Sequence, residues 1–415
     1  MVKSSYGRIA LSQIFDYFPT DGTTMSPSQI AADGSRYDTV WASFDPQAWR
    51  SANPQALVSR YYIIEEDNYT ISGHNLQWWQ QNHPDWILYA CDSSGNPTTD
   101  IAYSPGDGFP DVPLDFENPS VISYQIQSLI SYATANDYNA VALDQVLFDD
   151  FMVGGNPELG QTVKSGEYAC GYYNTSGAFV KLYSGPNDPQ WTTDVLNWLQ
   201  QAYAAAHAAG LDVMVNHGTG VVGSANETTL LNNTDVDLDE AGFSDYGNYV
   251  NQSTGAILTQ TYRYMEWAQS LGKAMVIIDR YTETSESEPT SNQVEYSIAT
   301  YLLANEGNAE LYVNAENASG TGYGSEQYHQ EYATPIGAPC AAMYGGSSYS
   351  STSPQIYYRR FAGGMVVVNA GSSAPESATL PANHTYTDIE GRTITNPLTV
   401  NSNDAYVLTT TNGCS

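Results

Sequence analysis

Residues 139–150 read NAVALDQVLFDD. Asn139 to Leu143 have the apolar run of a short buried strand, and Asp144 follows at its C-terminal edge. The interior of a sheet has no water to solvate a carboxylate, so an acid at such a tip is either paired or used. In a barrel of alternating strands and helices, the C-terminal strand ends form the rim that carries catalytic groups. Asp144 is therefore a candidate rim carboxylate. Taken alone, the stretch fits an N-cap or loop acid equally well, and the flanking chain has to decide.

Upstream, Pro119–Asn136 reads as a helix feeding this strand. Earlier strands are expected at Arg8–Phe15, Asp38–Phe44 and Val58–Ile64, the last ending in Glu65 and Glu66. Ser26-Pro27-Ser28-Gln29 has the form of a capping box with proline at the first helical position. The segment from Ser72 to Pro113 holds one short strand, Trp86–Ala90, without a clean helix, and reads as an excursion on the rim. A second long loop runs from Asp150 to Pro189 and is expected to be functional or to carry small elements of its own.

Downstream, Thr193–Ala209 places Val195, Trp198, Leu199, Ala202 and Ala206 on one helical face and stops at Gly210. Strands follow at Leu211–Val215, ending in Asn216–His217, and at Asp235–Leu238, ending in Asp239–Glu240. Helix Ala256–Leu271 leads to strand Ala274–Ile278, which ends in Asp279–Arg280. Helix Asn292–Ala304 leads to strand Glu310–Val313, with Glu316 close behind. Strands alternating with helices pair in parallel. Eight such units over about 340 residues predict an α/β fold, a closed (β/α)8 TIM barrel with insertions. The competing architecture, a doubly wound open sheet, usually has a glycine-rich phosphate loop after its first strand, and none is visible. The barrel is assigned to residues 1–345. Tyr344–Ser353 reads as a linker, and 354–415, with its short β runs, as a small antiparallel β-sandwich domain.

The 415 residues carry 45 acids against 13 Lys+Arg, a formal net charge of -32. Charged residues are only 14% of the chain, so the imbalance comes from missing bases. Such a surface repels nucleic acid and anionic lipid. It loses most of its charge near its pI of 4.1, which suits an acidic medium. No apolar run approaches the length of a membrane span. The N-terminus lacks a basic-then-apolar signal pattern. Four cysteines, Cys91, Cys170, Cys340 and Cys414, form no CxxC pair and leave three disulfide pairings open. With sequons at Asn68, Asn174, Asn226, Asn251, Asn317 and Asn383, they favour a secreted, extracellular protein.

The ordered set YNAVALDQV, GLDVMVNHG, DVDLDEAGF and GKAMVIIDRY resembles the glycoside hydrolase barrels related to endo-α-polygalactosaminidases and, more distantly, dextranase-type barrels. The tail, YYRRFAGGMVVVNAG through DAYVLTT, resembles the C-terminal β domain of α-amylase-like enzymes. The α-amylase arginine two positions before the strand-four acid is absent, since Ala142 stands there. The resemblance implies a retaining hydrolase of α-linked polysaccharide or oligosaccharide, with Asp144 as nucleophile and Glu240 as general acid/base. Retention needs the two carboxyls roughly 5–5.5 Å apart, and inversion about 6.5–9.5 Å. Glu240 would need a raised pKa, and Asp239 is its nearest rival.

Asp16, Trp41, Tyr62, Glu65, Asn216, His217, Asp279 and Arg280 stand near expected strand ends and are the candidate substrate contacts. Glu65, Glu66 and Glu316 are the alternative acids. Tyr61, Trp78 and Tyr281 are further aromatic subsite candidates, because sugars stack their C–H faces on aromatic rings. Trp198 and Trp267 read instead as barrel–helix packing. His217 has no second histidine at ligand spacing, so neither metal nor cofactor is expected. A monomer is expected. Two other functions fit the same residues: a carbohydrate-binding barrel without turnover, and a transglycosylase using the same pair.

Overall fold

The computed structural model describes residues 9–18, 22–104, 109–247, 256–281 (256–259 by backbone alone), 288–315, 322–325, 328–343, 356–370 and 374–414. Eight strands pair in chain order: Ser12–Ile14, Thr39–Trp41, Leu57–Ile63, Ala140–Asp144, Asp212–Asn216, Val236–Asp239, Ala274–Tyr281 and Ala309–Ala315. All seven junctions are parallel. A parallel bridge between Leu11 and Leu311, with the Leu311 amide donating to the Ala10 carbonyl at 2.9 Å, joins the last strand to the first. The sheet is thus a barrel rather than a doubly wound layer.

Strand alternation sorts the side chains. Ala140, Ala142, Met214, Leu238, Val276 and Ile278 point inward and fill the barrel. Val141, Leu143, Val213, Val215, Met275 and Ile277 point outward against the helices. The helices follow their sequence signals. Asp188 accepts from the Gln190 amide to start Pro189–Ala208, and Gly210, at φ +79°, ends the turn beyond it. The Ser26–Gln29 capping box forms as expected.

Both excursions leave the C-terminal rim, after strands three and four. Val153–Gly154, Pro97–Tyr103, Tyr89–Cys91, Tyr168–Tyr173 and Phe179–Lys181 make one five-stranded antiparallel sheet, in that spatial order. The Cys91–Cys170 disulfide joins its two halves. The first excursion also contains a helix, Leu76–Asn82, where none was expected. Asn75 caps it, and the buried Trp79 anchors it in a small core with Ile87, Ile101 and Val112. Two turns are too short to display helical periodicity in sequence.

The C-terminal part has a three-stranded antiparallel sheet, Ile356–Phe361, Gly364–Asn369 and Asp404–Thr409, and a strand pair, Glu376–Ala378 with Leu398–Val400. Met365, Val367 and Leu408 face its own core, whereas Val366, Val368 and Val407 belong to the main core. The helix Ser291–Ala304 lies between this sheet and the barrel, which explains why it is buried continuously from Val294 to Ala304. Cys340–Cys414 closes the second disulfide. The expected linker, Tyr344–Ser353, lies outside the described residues. No helix among the described residues is long and apolar enough to cross a membrane.

Candidate active site

At the C-terminal mouth of the barrel lies a cavity of about 560 Å³. Its walls include Trp41, Tyr61, Asp144, Asn216, His217, Asp239, Glu240, Arg280 and Tyr323. Strands two to seven, or the residues directly after them, supply all of these except Tyr323. Asp144, Asn216 and Asp239 are the last residues of strands four, five and six, and Glu240 follows directly.

Asp144 and Glu240 meet through one amide. Nδ2 of Asn216 donates to Oδ1 of Asp144 at 2.9 Å and to Oε2 of Glu240 at 3.1 Å. Each acid has a tyrosine on its other oxygen. Tyr61 donates to Oδ2 of Asp144 at 2.6 Å, and Tyr323 donates to Oε1 of Glu240 at 2.8 Å. The Gln145 amide adds a bond to Oδ1 of Asp144 at 2.8 Å, and the Arg280 guanidinium lies 3.5 Å from Oε1 of Glu240. Arg280 also sits over the rings of Tyr323 and Tyr246, at 4.7 and 5.2 Å to their centroids.

Burial, followed by the charge of Glu240, pushes the Asp144 carboxyl up to about 6, against the pull of its Tyr61, Asn216 and Gln145 donors. Burial likewise pushes Asp239 up to about 7, although the Gly242 and Ala241 amides stabilise its anion. His217 is held differently. Its Nδ1 lies 2.6 Å from the Val146 carbonyl and its Nε2 3.2 Å from the Glu227 carboxylate. Burial opposes its charge, but these acceptors and the Asp237 carboxylate raise its pKa overall. With an acceptor at each nitrogen, the ring is a donor at both.

Of the sequence candidates, Asp144, Glu240, Trp41, Asn216, His217 and Arg280 come together in the cavity. Four others do not. Asp16 is buried beneath the rim, accepting from Ser43 Oγ, the Phe44 and Asp45 amides and Trp49 Nε1 at 2.6–3.0 Å. It organises the turn after strand two. Asp279 accepts from the Phe243 and Ser244 amides at 2.8 Å each and anchors the loop after strand six. That loop packs so closely that a Cβ on Gly242 would lie 2.4 Å from Oδ1 of Asp279. Tyr62 points out of the barrel and stacks on Trp198, with centroids 6.2 Å apart. Its neighbour Tyr61 takes the inner position, because successive strand residues face opposite ways. Glu65 is fully buried and lines no part of the cavity, and burial drives its carboxyl well above the usual range. Glu66 is also buried, in a short strand paired with Pro113.

Tyr281 is buried against the helix Ser291–Ala304 through the Gln293 carbonyl and Ser297, and Trp78 stacks on His74 on the excursion helix. Trp198 and Trp267 pack in or against the main core, as expected. Glu316 lies outside the described residues. The site also contains residues that the sequence reading did not single out: Phe15, Gln145, Tyr246 and Tyr323. Phe15, Ala42 and Gln145, directly after strands one, two and four, all have positive φ, at 54, 63 and 59°. Non-glycine residues rarely hold this conformation, and it clusters at functional sites.

One group of metal-type side chains occurs among the described residues, His207, Asp212 and Asp235, at the opposite end of strands five and six. Asp235 there is already bonded to His207 and to the Val213 amide, both at 2.8 Å.

No family model matches the chain, and no curated protein matches it in sequence. Similar solved structures include a noncanonic maltogenic α-amylase, AmyB, from Thermotoga neapolitana, at 11% identity over 97% of this chain and 98% of that one, TM-score 0.49. Aspergillus fumigatus Ega3, solved in complex with galactosamine, is 12% identical over 75% of this chain and 93% of its own, TM-score 0.39. The α-amylase of Geobacillus thermoleovorans, complexed with acarbose, is 10% identical over 97% and 98%, TM-score 0.46.

Proposed function

We propose that the protein is a secreted, monomeric glycoside hydrolase that cleaves α-linked polysaccharide or oligosaccharide with retention. The observation that carries this reading is the pair of rim carboxyls, Asp144 and Glu240, facing each other across one amide in an open cavity. Asp144, short and held by three donors, attacks the anomeric carbon. Glu240, on a longer and less buried side chain, protonates the leaving oxygen and then activates water.

Retention is supported by the two bonds from Asn216. The facing oxygens can be no farther apart than those bonds laid end to end, 2.9 and 3.1 Å. That limit, set on the nearest oxygens alone, lies nearer the roughly 5–5.5 Å of retention than the middle of the about 6.5–9.5 Å range of inversion. The α-linkage rests on the resemblance of the strand-four to strand-six motifs. Secretion is supported by the two disulfides and the scarcity of bases.

The test is reducing-end release from a panel of polysaccharides at about pH 4–7, spanning the Asp144 titration, with wild type beside Asp144→Asn. Release by wild type that disappears in the folded variant is the expected result. Equal release by both removes Asp144 from the mechanism. Binding of one glycan without release by either protein would make this a carbohydrate-binding barrel.

A further inference from the structure

We propose that Asn216 is the positioning residue of the pair: its one amide nitrogen, giving a hydrogen to each carboxyl, sets the spacing of Asp144 and Glu240 and keeps their facing oxygens unprotonated. The inference rests on these two acids being the reacting pair.

An amide nitrogen carries two hydrogens, and Asn216 uses one on each acid, at 2.9 and 3.1 Å. Both hydrogens are committed to the acids, which leaves only Oδ1 to accept from a sugar hydroxyl. The two acids also differ in freedom. Oδ1 of Asp144 is tied to the backbone by the Gln145 amide at 2.8 Å. Glu240 lies beyond the end of strand six on a longer side chain, without such a tie. Asn216 is itself rigid: it is the last residue of strand five, in register with Leu238, and its carbonyl accepts from the Val146 amide at 3.2 Å. It therefore ties the freer acid to the fixed one.

The same bonds direct the proton. A hydrogen on Oε2 of Glu240 would compete with the one arriving from Asn216. Oε1 faces the Tyr323 hydroxyl at 2.8 Å, which can rotate from donor to acceptor. Oε2 of Glu240 therefore remains the acceptor that keeps the spacing.

Asn216→Leu keeps the shape and removes both donors without adding charge. The free protein, 13C-labelled at its carboxyls, is titrated by NMR, with Asp144→Asn and Glu240→Gln assigning the signals. Loss of Asn216 is expected to raise the pair's proton affinity at least about tenfold, one pKa unit. Unmoved titrations would overturn the proposal, since a residue that only touches sugar leaves the free protein's titration in place. On a cleaved substrate, kcat is expected to fall about 100-fold with KM changed less than about threefold. A raised KM with kcat retained would overturn it as well. If Asn216→Leu does not fold, Asn216→Ala serves for both measurements. If the wild type cleaves no glycoside, the hydrolase reading falls while the titration still decides the role of Asn216.

Discussion

Tyr61 donates its phenolic hydrogen to Oδ2 of Asp144 at 2.6 Å, across adjacent strands and inside the barrel. A donor on a carboxylate favours the charged form. Tyr61→Phe removes that donor and little volume. The Asp144 pKa then rises above about 6, its present position. The acidic limb of kcat/KM is expected to move to higher pH, with a loss of about 10- to 100-fold at pH 5. A pH–rate profile of the variant checks both effects, and thermal melting checks that the barrel is intact.

The same pair of strands shows where sequence reading stops. Apolar runs ending in acids mark the barrel strands, because a two-sided buried strand is a continuous hydrophobic run. Such a run does not reveal which of Tyr61 and Tyr62 faces inward, since alternation is visible only when one face is polar. Acids at strand ends are equally ambiguous. Asp144 and Glu240 face the cavity, whereas Asp16 and Asp279 are turned under the rim to satisfy loop amides. In sequence all four are simply acids after apolar runs. Tyr323 lies in the loop after strand eight, one tyrosine among 33, with no local pattern to mark it. Positive φ at Phe15, Ala42 and Gln145 has no sequence signal either, because none is glycine.

Stability is expected to fall as pH rises from about 4 to 8. Burial is the first cause of raised pKa values at Asp115, Asp150 and Glu295, each to about 7. Their unfolded values lie near about 4. Between the two values the folded state holds protons that the unfolded state has released, so the slope of unfolding free energy with pH is negative. Each unit of difference is worth up to about 1.4 kcal/mol at the high-pH end. Thermal melts across this range should show the highest Tm near the acid end. A Tm that climbs toward neutrality would contradict the protonated, buried state of these groups.

Replacing Cys91 and Cys170 together by serine should cost stability more than activity. The disulfide closes a loop of sequence separation 79 and ties the excursion after strand three to the one after strand four. The expected loss is about 2–4 kcal/mol in denaturant unfolding. Asp144, Asn216 and Glu240 are held by barrel strands, so kcat at 20 °C should stay within about threefold of wild type. A collapse of kcat in the folded variant would show that the excursion sheet shapes the cavity directly.

Arg359 is the buried charge that joins the C-terminal sheet to the barrel. Its Nη1 donates to the carbonyls of Leu302, Leu303 and Asn305 at 2.8–3.0 Å, at the C-terminal end of the helix Ser291–Ala304. Its Nε reaches the Ala341 carbonyl at 3.1 Å, and its Nη2 pairs with Glu306 at 2.7 Å. A helix end leaves carbonyls without intrahelical partners, and burial between two layers denies them water. A cation there also meets the negative end of the helix dipole. Arg359→Met retains the stem's packing but leaves these carbonyls unsatisfied, at a cost of about 3–5 kcal/mol. Arg359→Lys supplies charge without the planar fork, reaches fewer of the carbonyls at once, and should lose about half as much. Urea unfolding of the three proteins orders them as Arg, Lys, Met. If Met and Lys were equally stable, charge at the helix end would contribute nothing and packing of the arginine stem would account for the whole effect.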